Sequence, residues 1–262
     1  MYIRDQWVQN SEFHPLSTAE VLNEVLVRCQ ALLAKKQPAV VIFDLDSTLL
    51  DVSPRTWAIL NEWRAHPETQ GFELSLKQLE SLQPAEMKYS IQDVWDQRQI
   101  PHQDEPYLSH FKHAKSFWRQ RFFSNPHLVH DVLTPGALDF VRKLYEAGVK
   151  IVYLTGRDVP LMSFGTYRQL QNFGFPLELE RTRLILKPKR HHDDLEFKTQ
   201  AAKTIQTWGT VVASFENEPK NLVAMAQTFD ASVMNVFMHS VCSDTPTPAL
   251  KNLYKIDSFK ID

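Results

Sequence analysis

Apolar positions along this chain follow two rhythms. Five short runs are almost continuously apolar and rich in β-branched residues: 39–44, 149–155, 183–187, 210–215 and 232–238. Continuous rather than alternating runs predict strands of a parallel sheet covered on both faces. Between most of them, apolar residues recur at helical spacing. In 134–148 (TPGALDFVRKLYEAG), Pro135 sits near the start and Gly148 ends the segment. Leu138, Val141, Leu144 and Tyr145 make its predicted inner face. In 193–209 (DDLEFKTQAAKTIQTWG), Asp193 and Glu196 stand at capping-box spacing and Gly209 closes the segment. Strand alternating with helix predicts an α/β, doubly wound parallel sheet. Such sheets bind ligands at the carboxyl ends of their strands.

The rhythm breaks once, over 52–133, where no convincing strand is found. Apolar and aromatic residues recur there at helical spacing, as in Trp57, Leu60 and Trp63, and in Phe111, Ala114, Trp118 and Phe122. A stretch this long and aromatic is not a plain loop. It predicts a helical domain, 52–132, inserted into an α/β core made of 38–51 and 133–262. Residues 1–37 read as an irregular arm followed by a helix over about 18–35, packed on that core.

Composition narrows the class. Of the 262 residues, 43% are hydrophobic and 23% charged, which describes an ordinary globular chain. The net charge of -2 argues against a general nucleic-acid-binding surface. The segment 110–121 does carry a basic stripe, Lys112, Lys115 and Arg119. It reads either as the solvated side of an amphipathic helix or as a rim that attracts an anionic substrate. Cys29 and Cys242 are too few for a disulfide framework, so a reducing compartment is expected. No secretory signal and no apolar run of membrane-spanning length is found. The expectation is a cytoplasmic protein without a membrane partner.

Candidate chemistry gathers at the predicted strand ends. In VVIFDLDSTLLD (40–51), Asp44 and Asp46 lie two residues apart, so in extended chain their side chains share one side. Two carboxylates that close repel unless a cation or a proton intervenes. A hard divalent cation, Mg²⁺ first, is the natural partner; the alternative is a turn whose carboxylates accept backbone N–H groups. Thr155, Gly156 and Arg157 follow the apolar IVYL. Lys198 lies early in a later helix, and acidic FENEPKN (215–221) follows VVAS. Alone, each has a structural reading: a strand end, a solvated lysine, a helix start favoured by the dipole. Their order on successive strand ends argues for a shared site. RHHDD (190–194) reads as a charged, capped turn rather than a metal site.

These motifs resemble the haloacid dehalogenase superfamily, whose core is Rossmann-like. FDLDSTL is similar to its first motif, IVYLTGRD to its second, and VVASFENEPKN occupies the place of its fourth. The insertion after the first motif resembles the family's class 1 cap. The resemblance implies a Mg²⁺-dependent phosphohydrolase acting on a small phosphomonoester. Asp44 would be the nucleophile that forms an aspartyl-phosphate and Asp46 the general acid and base. Thr155 and Gly156 would bind phosphate with Lys198, preferred over Lys187 because it sits early in the helix leading to the fourth motif. Asp44, the Asp46 backbone carbonyl and Glu216, with Asn217 next, would hold the metal. The second aspartate favours phosphatase over dehalogenase chemistry. The fourth motif departs from the family's usual aspartates, which keeps two alternatives open: an impaired member that binds a phosphorylated ligand or protein partner, and a phosphotransferase or mutase.

Overall fold

The computed structural model describes residues 1–177 and 180–261, and the chain forms two compact units, Met1–Leu50 with Leu133–Asp262, and Asp51–Val132. In chain order the strands are β1 (Ala39–Phe43), β2 (Leu50–Asp51), β3 (Val132–Leu133), β4 (Lys150–Asp158), β5 (Thr182–Lys187), β6 (Thr210–Glu216), β7 (Met234–Met238) and β8 (Tyr254–Ile256). The helices are α1 (Arg4–Asn10), α2 (Thr18–Ala34), α3 (Ser53–Arg64), α4 (Glu73–Gln78), α5 (Ile91–Gln97), α6 (Tyr107–Phe122), α7 (Ala137–Glu146), α8 (Val159–Phe173), α9 (Asp194–Ile205) and α10 (Pro219–Thr228).

The first unit is built on a six-stranded sheet in the order β5-β4-β1-β6-β7-β8, with every neighbouring pair parallel. The α/β, doubly wound expectation holds. β1 shows why its sequence is continuously apolar. Val41 and Phe43 face a core filled by α2 and α7, whereas Val40 and Ile42 face one filled by α9 and α10. A period of two with both faces covered leaves no position for a polar residue. The run ends only where the strand does, at Asp44. Phe43 and Phe215 stack across the β1–β6 pair, ring centroids 4.9 Å apart, which fixes the two strand ends in register.

The two-residue strand β3, paired with β2, falls inside 52–133, where the sequence reading expects no strand. Three further features differ from that reading. Strand β8 extends the sheet beyond β7. It has three residues with an outer position exposed, the pattern of a short edge strand rather than a covered one. The N-terminal arm contains α1, whose Trp7 is fully buried against Phe237 and Leu253. Finally, α7 buries Ala137, Phe140, Val141 and Leu144, while Leu138 and Tyr145 are only partly buried. The helix begins after Gly136 at φ +80, where a Cβ would lie 2.5 Å from the Phe259 backbone, so the chain there admits only glycine.

The second unit holds α3 to α6 around an aromatic core with Trp63 and Trp95 fully buried. In α6, Phe111, Ala114 and Phe117 turn inward and Lys112, Lys115 and Arg119 are exposed. Near its two chain ends Arg55 pairs with Asp131, through Nε to Oδ1 at 2.7 Å and Nη2 to Oδ2 at 2.5 Å, both side chains fully buried. The guanidinium also lies 4.4 Å from the Phe122 ring centroid. This pair ties the start of α3 to the last residues of the unit. Removing one partner leaves an uncompensated buried charge. Asp131→Asn is therefore expected to destabilise the protein by about 3 kcal/mol, measured by urea denaturation. Unchanged stability would show that the pair contributes no net clamp.

Candidate active site

Four parallel strands deliver polar residues to one edge of the sheet. Asp44 follows β1 directly, and its N–H donates to the Phe215 carbonyl at 3.0 Å, so the β1–β6 ladder continues one step into the site. The chain then turns tightly. Ser47 sits at φ +60, its N–H bonds the Leu50 carbonyl at 2.7 Å, and the Leu50 N–H returns to the Leu45 carbonyl at 2.9 Å. This turn holds Asp46 beside Asp44. The left-handed serine is a local strain that the surrounding hydrogen bonds maintain.

Lys198 reaches the same point from α9. Its Nζ donates to Asp44 Oδ1 and to Glu216 Oε2, each at 2.6 Å, and all three side chains are almost fully buried. Burial raises the Asp44 carboxyl to about 7, with the Glu216 charge adding to the rise and Lys198 opposing it. Burial likewise raises Glu216 and Glu218. For Lys198 burial works downward, and the charges of Asp44 and Glu216 more than reverse it, so the ammonium form is held.

The remaining residues from the sequence reading are distributed around this triad. Thr155 is buried in β4, with its hydroxyl accepting from the Arg157 N–H at 3.2 Å. Gly156 follows it, and a Cβ there would stand 3.0 Å from the Asp194 carboxylate. Lys187, at the end of β5, is ion-paired with Asp194 rather than with Asp44. In RHHDD, Asp193 caps α9 by accepting from the Glu196 N–H at 3.0 Å. Glu216 has both oxygens engaged, since Oε1 accepts from the Glu218 N–H at 3.1 Å. Asn217 donates through Nδ2 to the Val241 carbonyl at 2.7 Å, and Thr48 Oγ1 donates to its Oδ1 at 3.4 Å. Its side-chain oxygen therefore turns toward the turn that carries Asp46.

Two groups of residues escaped the sequence reading. Ser243 donates both its N–H and its hydroxyl to Glu218, and Ser240 Oγ donates to the Ser47 carbonyl at 2.6 Å. The loop after β7 thus ties the two acidic turns together; a serine-rich loop carries no signal of that kind. In the sequence Arg157 stands only as a neighbour of Thr155. Here its Nε and Nη2 donate to Asp46 Oδ1 at 2.9 and 2.5 Å. Its Nη1 donates to Thr166 Oγ1 at 3.2 Å and to Gln169 Oε1 at 2.7 Å in α8.

The donor chemistry fits a hard divalent cation. Asp44, Asp46, Glu216 and Glu218 outnumber Lys198 and Arg157, and burial, which raises Asp44, Glu216 and Glu218, is the cost that a bound cation would offset. Asp44 Oδ2 accepts no hydrogen bond among the described residues, which leaves a carboxylate oxygen, a hard donor, for a cation. Among the described residues, no group of three or more His, Cys, Asp or Glu side chains is arranged as a ready metal cage. A metal here would rely on backbone, amide and solvent oxygens beside Asp44.

The site thus sets, on a doubly wound α/β sheet, an aspartate-rich turn after β1, a buried lysine from α9 and an acidic turn after β6. The sequence matches the haloacid dehalogenase-like hydrolases over residues 38–225, and the chain belongs to that family. No curated protein matches the sequence. Among solved structures, a Clostridium difficile protein described as a candidate phosphatase is similar at 13% identity, with 85% of this chain and 95% of that one covered and a TM-score of 0.50. The Mycobacterium tuberculosis protein tyrosine kinase A is 15% identical, with 83% and 94% covered and a TM-score of 0.48. A Bacillus anthracis class C acid phosphatase with bound tungstate is 16% identical, with 82% and 64% covered and a TM-score of 0.44. At these identities the likeness concerns the fold alone.

Proposed function

We propose that this hydrolase is a Mg²⁺-dependent phosphatase acting on small phosphomonoesters through an aspartyl-phosphate. The observation that carries the reading is the buried Asp44–Lys198–Glu216 triad beside Asp46. Lys198 lets Asp44 stay buried as an anion next to an incoming dianion. An Asp44 oxygen attacks phosphorus, and the bond to the leaving oxygen breaks as Asp46 supplies its proton. Asp46 then takes a proton from the water that opens the aspartyl-phosphate, which returns both carboxyl groups to their starting state. The Thr155 hydroxyl and the N–H groups after it, at Gly156, serve the phosphoryl oxygens.

Mg²⁺, when bound, would neutralise phosphoryl oxygen charge. Asp44, the Asp46 carbonyl and a fourth-motif oxygen are the residues to hold it. Because Glu216 already accepts from Lys198 and from the Glu218 N–H, the Asn217 side-chain oxygen takes precedence as that third donor. Residues 51–132 are read as a class 1 cap and as the source of substrate selectivity. Neither Cys29 nor Cys242 forms a disulfide among the described residues, and no described helix is long and apolar enough to cross a membrane; a cytoplasmic setting is our reading.

The test is hydrolysis of p-nitrophenyl phosphate across a Mg²⁺ titration. The parent turns over only with Mg²⁺. Asn217→Ala raises the half-saturating Mg²⁺ about tenfold, the loss of one ordinary ligand interaction at about 1.4 kcal/mol, and Glu216→Gln shifts it less. The opposite order returns the ligand role to Glu216. If the parent shows no turnover with any phosphorylated compound but retains phosphate binding, the protein is a binding member of the family, the reading motivated by Asn217 in an otherwise acidic motif.

A further inference from the structure

We propose that Arg157 is a positioning residue for Asp46, held in place by Thr166 and Gln169 of α8. The inference rests on the general-acid role assigned to Asp46 above. Arg157 is 3% exposed, so its guanidinium is walled off from bulk solvent. Two of its N–H groups converge on one carboxylate oxygen, Asp46 Oδ1. The opposite side of the fork is fixed by two neutral acceptors, the fully buried Thr166 hydroxyl and the Gln169 amide oxygen. Its own N–H is tied to Thr155, the residue proposed to serve phosphate. One residue thus links Thr155 of β4, the acid and the helix α8 behind them.

The consequence for catalysis is geometric and electrostatic. With Oδ1 pinned, the Asp46 side chain has one setting rather than several rotamers, so its proton is presented to the leaving oxygen from a fixed direction. As that proton departs, negative charge grows on Asp46, and the guanidinium is already in place to stabilise it without reorganisation. A lysine offers a point charge in place of the fork and cannot meet Oδ1, Thr166 and Gln169 together.

Help from a general acid matters most when the leaving oxygen is strongly basic. The experiment compares kcat/KM for p-nitrobenzyl phosphate, which expels an alkoxide, with p-nitrophenyl phosphate, which expels a stabilised phenolate. Arg157→Gln is expected to lower kcat/KM for the benzyl ester about 10²-fold, within the range typical of general acid catalysis, and that for the phenyl ester at least tenfold less. Gln169→Leu frees one side of the guanidinium and reproduces the same bias at smaller size; it also serves if Arg157→Gln fails to fold. Arg157→Lys recovers only part of the loss. Equal losses on both esters, or none, overturn the proposal. Asp46→Asn is the control: if it shows no leaving-group bias, the general-acid role itself fails. If Asp46→Asn is biased and neither Arg157→Gln nor Gln169→Leu is, only the positioning role fails.

Discussion

Purified Asp44→Asn is expected to fold as the parent does and to hydrolyse phosphomonoesters on the order of 10⁴-fold more slowly or not at all, the scale of loss when a covalent nucleophile is removed. The amide has nearly the carboxylate's shape and keeps an oxygen for the Lys198 ammonium, which sits 2.6 Å from Oδ1 in the parent. It lacks the charge and the lone-pair reactivity to attack phosphorus. Glu216 still pairs with Lys198, so the buried cation keeps a counterion and the fold has no cause to loosen. The check is threefold: steady-state turnover, circular dichroism, and acid-quench trapping of phosphoprotein. The parent accumulates an acid-stable, hydroxylamine-labile phosphoryl group and the variant does not. A variant with parental turnover, or a parent phosphorylated elsewhere, would remove Asp44 from the mechanism.

Lys198→Met is expected to affect both activity and stability. The lysine is 3% exposed and stands between two buried carboxylates. Methionine fills much of its volume but leaves Asp44 and Glu216 facing each other without a counterion. Breaking a buried pair from one side costs about 3–5 kcal/mol, and with two carboxylates orphaned the upper end is expected. At about 2–4 °C per kcal/mol for a chain of this size, the melting temperature falls by roughly 10–20 °C. Adding Glu216→Gln to Lys198→Met removes one of the two orphaned charges and restores part of that loss. Turnover is lost in both, because no ammonium remains to screen Asp44 from the substrate dianion. An unchanged melting temperature in Lys198→Met would mean that water or protonation relieves the two carboxylates at no cost, and that the triad is not what holds this edge together.

Much of this architecture was legible before any coordinates. Each central strand is written as a continuous apolar run because both of its faces are covered, and that requirement acts residue by residue. The same logic marks the site, since Asp44, Thr155 and Glu216 stand where such runs stop being apolar. Helix ends are readable where a local cap writes them, as at Asp193, whose side chain accepts from the Glu196 N–H at the start of α9. The edge strand β8 was not, because a three-residue strand with an exposed middle position has no pattern distinct from a loop. Its existence depends on pairing with β7.

What the sequence determined by itself is therefore the fold class, the strand ends and the set of charged residues near them, all consequences of local burial and local capping. Only the tertiary structure decided who is paired with whom. Lys198 and Lys187 are alike as residues in a chain. One lies 154 positions from Asp44 and meets it across the sheet, whereas the other is seven positions from Asp194 and is taken by it. Arg157 and Asp46 are separated by 111 positions, and no periodicity joins them. Side-chain pairing at a strand-end site depends on how β1, β4 and β6 are ordered in the sheet and on the register of each pair. Those are global properties, set by closing the whole core rather than by any single segment.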